Sequence, residues 1–225
     1  MRRYKLIGTA LCAGVLALWG GRADAEEFSA RLTGFQELGS LPNVTQNPTT
    51  GVVTAANPTG AVLSDGTGTL ELDLDEKAHP PTATWTLTYS NVGTTPPKTG
   101  TVSQAHIHFG KSRDSGGILV FFCTNLTPPP VGAPLPKPCP SPSGTVSGTW
   151  TSADIVAIAG QNVVAGNFDA LVDALESNTA YANIHTTSGT TPDTAFPAGE
   201  IRGQIHEGDL DKKHDHHESH DNHEH

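Results

Sequence analysis

Short segments in which apolar and polar residues alternate constrain the fold of this chain more than any other feature. Leucine occupies every second position over residues 70–74, and Trp85, Leu87 and Tyr89 repeat the pattern with threonines between them. In an extended strand a two-residue period places all the apolar side chains on one face, whereas a helix would spread them around its surface. Because only a turn-sized stretch, 75–81, separates the two runs, we predict two neighbouring antiparallel strands.

The same signals recur along the chain and predict a mostly β protein. Its 225 residues include 24 glycines and 17 prolines, which is typical of short strands joined by turns. Eight strands suffice for an antiparallel β-sandwich, and apolar residues at helical spacing within 152–176 add one or two short helices. The further strands are predicted at 28–33, 102–109, 118–123, 145–150, 181–186 and 200–206.

The start of the chain predicts an exported protein. Residues 1–25 combine Arg2, Arg3 and Lys5 with an apolar run over 6–19 and a small-residue site at 23–25, the pattern of a cleavable signal peptide. The run has 14 residues, whereas a bilayer crossing needs about 20. We therefore predict no transmembrane segment after cleavage and a periplasmic or extracellular location. The predicted organisation is a signal peptide at 1–25, one domain at 26–206 and a disordered tail at 207–225.

The charge of the chain argues against nucleic acid as a partner. The formal net charge is −10, and removal of residues 1–25 would leave nine basic and 22 acidic residues, a net charge of −13. An acidic surface repels phosphate backbones and anionic membranes. We therefore expect no nucleic-acid partner.

The two cysteines downstream of the signal peptide, Cys123 and Cys139, flank a proline-rich stretch. An oxidising compartment favours a disulfide between them, which would close a loop of about 15 residues and contribute roughly 3 kcal/mol. A pair of metal thiolates is the alternative, but neither cysteine has a close Cys or His neighbour at ligand spacing. We predict the disulfide.

Histidines on two predicted strands are the strongest candidates for a functional site. His106 and His108 lie two residues apart and must share a face opposite Ile107, and His185 lies opposite Ile184 in the same way. If the isoleucines define the core, the three imidazoles and Arg202 lie on a common polar face. Three imidazoles can hold copper or zinc.

Hydrogen bonding is the alternative role for these histidines. Histidines on strands often donate to backbone carbonyls or pair with carboxylates, for which Glu200 and Asp193 are candidates. Glu200 and Arg202 are themselves predicted to form a structural ion pair that closes the final strand. The sequence contains no nucleophile with an adjacent base, no phosphate-binding loop and no paired glycosidase carboxylates.

Five motifs in a fixed order resemble the CHRD (chordin) domain family. They are FSARLTGFQE at 28–37, AHIH at 105–108, FDALVDAL at 168–175, YANIHT at 181–186 and FPAGEIRGQI at 196–205. The resemblance spans about residues 27–206 and implies a β-sandwich in an extracellular setting, without implying a reaction. CHRD domains occur in chordin, an extracellular antagonist of bone morphogenetic proteins, and in many bacterial exported proteins.

A weaker, local similarity connects the chain with the copper–zinc superoxide dismutases. His106, His108, Phe109 and Gly110 resemble the strand of that family in which a His-x-His pair contributes to the copper site. The similarity implies an immunoglobulin-like or superoxide dismutase-like sandwich and a copper site with His185 as a further ligand. Catalysis would usually need a fourth ligand, for which His206 and His79 are the candidates within the domain.

The tail forms a second candidate metal site of a different kind. From residue 214 to residue 225, six of twelve residues are histidine and four are acidic. Imidazoles and carboxylates at this density can share a transition-metal ion at neutral pH without a fixed geometry. An expression tag is the alternative origin, although tags are usually uninterrupted histidine runs. The tail ligands are predicted to be His214, His216, His217, His220, His223 and His225.

The sequence therefore predicts an exported, non-enzymatic CHRD-type binding module with a capacity for copper or zinc. Metal ions or an extracellular protein are the expected partners. Two alternatives stay open: a copper-dependent, superoxide dismutase-like enzyme that uses the body histidines, and a surface adhesion or structural protein that binds another macromolecule through its loops.

Overall fold

The computed structural model of the chain describes residues 25–40, 59–97, 99–130, 137–187 and 195–208. In this part of the chain there are one α-helix, α1 (Asp169–Glu176), and three short 3-10 turns, and the rest of the regular structure is antiparallel β. The strands are β1 (Glu26–Thr33), β2 (Gly39–Ser40), β3 (Thr59–Gly60), β4 (Thr67–Asp75), β5 (Thr82–Ser90), β6 (Thr101–Phe109), β7 (Gly117–Thr124), β8 (Gly144–Trp150), β9 (Ala180–Thr187), β10 (Ile201–Gln204) and β11 (His206–Glu207).

The predicted mostly β, sandwich-like fold is confirmed, and its two layers are joined into one nearly closed sheet. The strand order is β7-β6-β9-β10-β1-β4-β5-β8, with β11 also paired to β1. Strands β7-β6-β9-β10 form one layer and β1-β4-β5-β8 form the other. The layers join where Thr33 of β1 pairs with Arg202 of β10. At the other end, the Trp150 indole N–H donates to the Phe121 carbonyl at 3.0 Å and brings β8 against β7.

The alternation in the sequence accounts for the core between the layers. Every second residue of β4 and β5 is buried, and these apolar side chains face those of the opposite layer. Trp85 stacks on Trp150 and meets Phe122 edge-on, with ring centroids 4.9 Å apart in both pairs. Strand β9 is buried on both faces, because Ala182 and Ile184 face the core, and Tyr181, Asn183 and His185, which face the other way, are also covered.

Each of the eight predicted strands overlaps one of the eight long strands, and β4 pairs with β5 as the spacing predicts. The predicted helical stretch forms α1 and two single 3-10 turns, at Ser152–Asp154 and Ala159–Gln161. Glu207, the first residue of the predicted tail, pairs with Phe28. The described residues contain no helix that is long and apolar enough to cross a membrane.

Cys123 at the end of β7 is bonded to Cys139, with the sulfur atoms 2.03 Å apart. Asn125 fixes the same segment, because its amide donates to the carbonyls of Val102 and Cys139 and its oxygen accepts from the Cys139 N–H. Residues 1–24, which hold most of the predicted signal peptide, lie outside the described part, as do all six tail histidines.

Candidate metal centre

Three histidines meet on the face of the first layer that points away from the core. The ring of His106 lies 4.5 Å from that of His108 and 4.5 Å from that of His185, measured between centroids, and the last two are 6.3 Å apart. One ring nitrogen of each residue lies within 4.8 Å of the corresponding nitrogen of the other two. Strands β6 and β9 are neighbours in the sheet, so the predicted common face brings all three imidazoles together.

Backbone carbonyls orient two of the rings. His108 Nδ1 lies 2.8 Å from the Gly116 carbonyl oxygen, and His185 Nδ1 lies 2.9 Å from that of Pro197. Because a carbonyl only accepts, each Nδ1 carries the proton and each Nε2 of the neutral ring has its lone pair free. This arrangement of a ring N–H on a carbonyl is the one that usually accompanies a metal-ligating histidine.

Three further ring nitrogens of the cluster lack hydrogen-bond partners. His185 Nε2 and both nitrogens of His106 are buried and unpaired within the described structure. An unsatisfied buried polar atom costs about 1–3 kcal/mol, so three in one place call for an explanation. The expected alternative role is seen in part, because His108 and His185 each donate to a backbone carbonyl. A pairing of the histidines with Glu200 is not seen, and Asp193 lies outside the described residues.

Burial keeps the three rings neutral at physiological pH. It lowers the pKa of His108 and of His185 to about 4, and it lowers the pKa of His106 well below its usual range. Proximity of the rings to one another lowers the pKa of His106 and of His108 further, because two neighbouring imidazoles cannot both carry charge cheaply. Neutral imidazole is the form that binds a metal ion.

An aromatic stack supports His108. The Tyr181 ring lies 4.7 Å from the His108 ring at an interplanar angle of 11°, and the Arg202 guanidinium carbon lies 3.3 Å from the Tyr181 centroid. The guanidinium also donates to the carbonyls of Lys111 and Asp114. These contacts hold one fixed cation beside the imidazole cluster.

The contacts of Glu200 and Arg202 correct the predicted ion pair between them. The Glu200 carboxylate accepts hydrogen bonds from the Ser64 and Thr186 hydroxyls and from the Gly93 N–H. Arg202 instead lies over Tyr181 and bonds to loop carbonyls. Glu200 precedes β10, where its carboxylate meets the loops near β4 and β5, so each residue has its own partners.

The comparisons with known proteins place this chain in a family. A family model described as the CHRD domain matches residues 28–205, which is most of the chain. The chain belongs to the CHRD family. No curated protein matches the chain, and no solved structure matches it. All three histidines of the cluster lie within the CHRD match.

A buried carboxylate in this CHRD domain was not among the predicted site residues. Glu37, which is 3% exposed, accepts from the Asn183 amide at 2.7 Å and from the Leu38 N–H at 2.9 Å. Desolvation raises the pKa of Glu37 to about 6, although the Arg202 charge and the two hydrogen bonds oppose the rise. Asn183 pairs with His106 in the ladder, so Glu37 lies two contacts from the cluster. In the sequence, only the position of Glu37 at the end of the first CHRD motif indicated a role for this residue.

The other histidines of the CHRD domain lie apart from the cluster. His206 is exposed and its Nδ1 lies 3.0 Å from the Asn178 side-chain oxygen, and His79 is exposed in the turn between β4 and β5. Among the described residues, neither provides the predicted fourth ligand. The cluster therefore offers three imidazole nitrogens.

The cluster fits a transition-metal ion in donor type and approximate size. Metal–nitrogen bonds of about 2.0–2.1 Å would place three nitrogens about 3.4 Å from one another. The nitrogens lie within 4.8 Å of one another, so they would have to approach by at most about 1.4 Å to reach that separation. Borderline-soft imidazole nitrogens suit copper and zinc.

Proposed function

We propose that this chain is an exported CHRD-domain binding module that holds one copper or zinc ion on His106, His108 and His185. The observation that carries the proposal is the meeting of three neutral imidazoles, two of which, His106 and His185, have buried ring nitrogens without hydrogen-bond partners. A metal ion would pair these nitrogens and replace an energetic cost with three coordinate bonds. Export is supported by the signal-peptide pattern, the disulfide and the extracellular setting typical of the family.

A metal-binding role accounts for the site better than a catalytic role. A catalytic metal needs an open coordination position that a substrate can reach. His106 and His185 are only 1% and 7% exposed, and the loops that hold Gly116 and Pro197 contact the rings from above. A buried ion is suited to storage, transfer or structural stabilisation of the domain.

Metal content and thermal melting of the full chain test the proposal. To remove the background of the tail, the six tail histidines are replaced by asparagine while the domain is left intact. We expect one copper or zinc ion per chain, and at a free metal concentration 100 times the Kd a stabilisation of about 2.7 kcal/mol, which raises the Tm by roughly 5–10 °C.

The matched variants separate the site from other histidines. His106→Gln combined with His185→Gln should abolish both the bound ion and the rise in Tm, whereas His206→Gln at the surface should change neither. Absence of metal from the tail-substituted chain would overturn the proposal. Equal metal content in the double variant would do so as well, because the ion would then lie elsewhere.

A further inference from the structure

We infer that the centre selects copper in the +1 state over divalent zinc and copper, an inference that rests on the proposed function. The ligand set is uncharged: among the described residues the group consists of three imidazoles and includes no carboxylate. Imidazole binds copper in both oxidation states and zinc, so ligand type alone does not discriminate among them. The ions differ instead in their net charge and in the coordination number that they prefer.

The electrostatic surroundings of the site favour a singly charged ion over a doubly charged one. The site is buried, and the Arg202 guanidinium is near enough to act on His108 electrostatically, packed on the Tyr181 ring that stacks on His108. Transfer of an ion from water into a buried site costs more for a double than for a single charge, and a nearby cation adds to that cost. Glu37 and Asp114 both offset the charge of Arg202, but neither belongs to the ligand group, so the ligands themselves bring no negative charge to a divalent ion.

The carboxylate of Glu37 is engaged elsewhere and is not a ligand. Its two oxygens accept from the Asn183 amide and the Leu38 N–H. The Asn183 side-chain oxygen is buried and unpaired, and Asn183 lies directly opposite His106 in the ladder between β6 and β9. No hydrogen bond joins that oxygen to His106, whose two ring nitrogens are also unpaired, so the one that carries no proton is left for the metal.

The number of ligands favours copper(I) for a second reason. Copper(I) is stable with three nitrogen ligands, whereas zinc takes four and copper(II) prefers four in a tetragonal arrangement. A divalent ion would therefore need water or a further side chain to complete its shell. The Phe121 ring lies edge-on to His106 at 5.4 Å and the Tyr181 ring covers His108, so apolar surfaces border the cluster where such a ligand would enter.

Competition titrations of the tail-substituted full chain test this inference. Copper(I) is offered anaerobically against the chelator bicinchoninate, and zinc(II) and copper(II) are offered against indicators of known affinity. We expect the Kd for copper(I) to be at least about 100-fold below that for zinc(II), a difference of about 2.7 kcal/mol. The copper-loaded protein should be silent in electron paramagnetic resonance.

Variants of Arg202 test the charge argument. Arg202→Gln should reduce the ratio of the zinc(II) Kd to the copper(I) Kd about 10-fold. Arg202→Lys, which keeps the charge, should preserve that ratio. If zinc(II) or copper(II) binds as tightly as copper(I), this inference fails while the proposed metal site stands. If no ion binds, both fail. The titration of the unmutated Arg202 protein decides the matter even if an Arg202 variant does not fold.

Discussion

The charge states of a few buried side chains control how this domain responds to pH. His108 and His185 resist protonation in the folded state because burial lowers the pKa of each to about 4. Glu37 resists ionisation, because burial raises its pKa to about 6. The two effects act on stability in opposite directions and over overlapping ranges of pH.

Acid should destabilise the metal-free protein through its buried histidines. Between the usual pKa of 6.5 and the folded value of about 4, the unfolded chain binds more protons than the folded one, so the free energy of unfolding decreases as the pH falls. Each ring accounts for up to about 3 kcal/mol, and the pair for less than twice that because the rings interact. Urea denaturation in EDTA at about pH 7 and about pH 4.5 measures the loss.

Asparagine at positions 108 and 185 keeps the donor to the Gly116 and Pro197 carbonyls but removes the titrating ring. His108→Asn combined with His185→Asn should therefore lose less stability than the parent protein over the same pH interval. The surface variant His206→Asn should lose as much stability as the parent protein over this pH interval. An unchanged pH dependence in the double variant would show that other groups govern acid unfolding.

Glu37→Gln should have the opposite pH dependence. Because the folded pKa of Glu37 is raised, its contribution to stability is complete below pH 4.5 and is lost as the pH rises through about 6. Relative to the parent protein, the variant should gain about 2 kcal/mol of unfolding free energy between about pH 4 and about pH 8. Glutamine can accept only one of the two hydrogen bonds at any pH, which lowers stability by a constant amount. The readout is therefore how the difference in unfolding free energy between the variant and the parent protein changes with pH. Glu71→Gln, at an exposed position of β4, controls for net charge.

At the scale of elements, irregular segments position the site on a regular sheet. The pairing of β6 with β7 shifts register between Ala105 and His106 and again between Ile107 and His108. Such bulges redirect side chains beside functional sites. The loop at Gly116 and the turn at Pro197 then fix two of the rings. The sheet therefore supplies the common face, and the loops supply the orientation.

The disulfide links one strand to the segment that follows it. Its removal in Cys123→Ser with Cys139→Ser should lower the free energy of unfolding by about 3 kcal/mol and the Tm by roughly 6–12 °C, since a closed loop of this length restricts the unfolded chain. Asn125→Ala is the matched variant, because Asn125 joins the same segments through hydrogen bonds alone. A loss below about 1 kcal/mol in the cysteine variant would show that these hydrogen bonds suffice.

At the scale of the whole molecule, the periodicity of the sequence was enough to predict the strands but not their closure into one sheet. The alternation around Ile107 and Ile184 correctly placed three histidines on one face, since side-chain direction in a strand depends only on local spacing. The contact of Glu37 with Asn183 joins residues 146 positions apart, which no local pattern encodes. The Glu200–Arg202 pair was mispredicted for the same reason, because long-range partners outcompeted the nearest opposite charge.

The contacts along β7 bear on how copies of this protein behave when crowded together. The carbonyls of Leu119 and Phe121 accept hydrogen bonds from the Val156 N–H and the Trp150 indole, and the Thr124 N–H donates to the Lys137 carbonyl. Backbone groups that a foreign strand would need for docking are thus already occupied. Neighbouring molecules therefore find few free backbone groups along β7 with which to extend the sheet, which protects a β-rich protein against fibre formation.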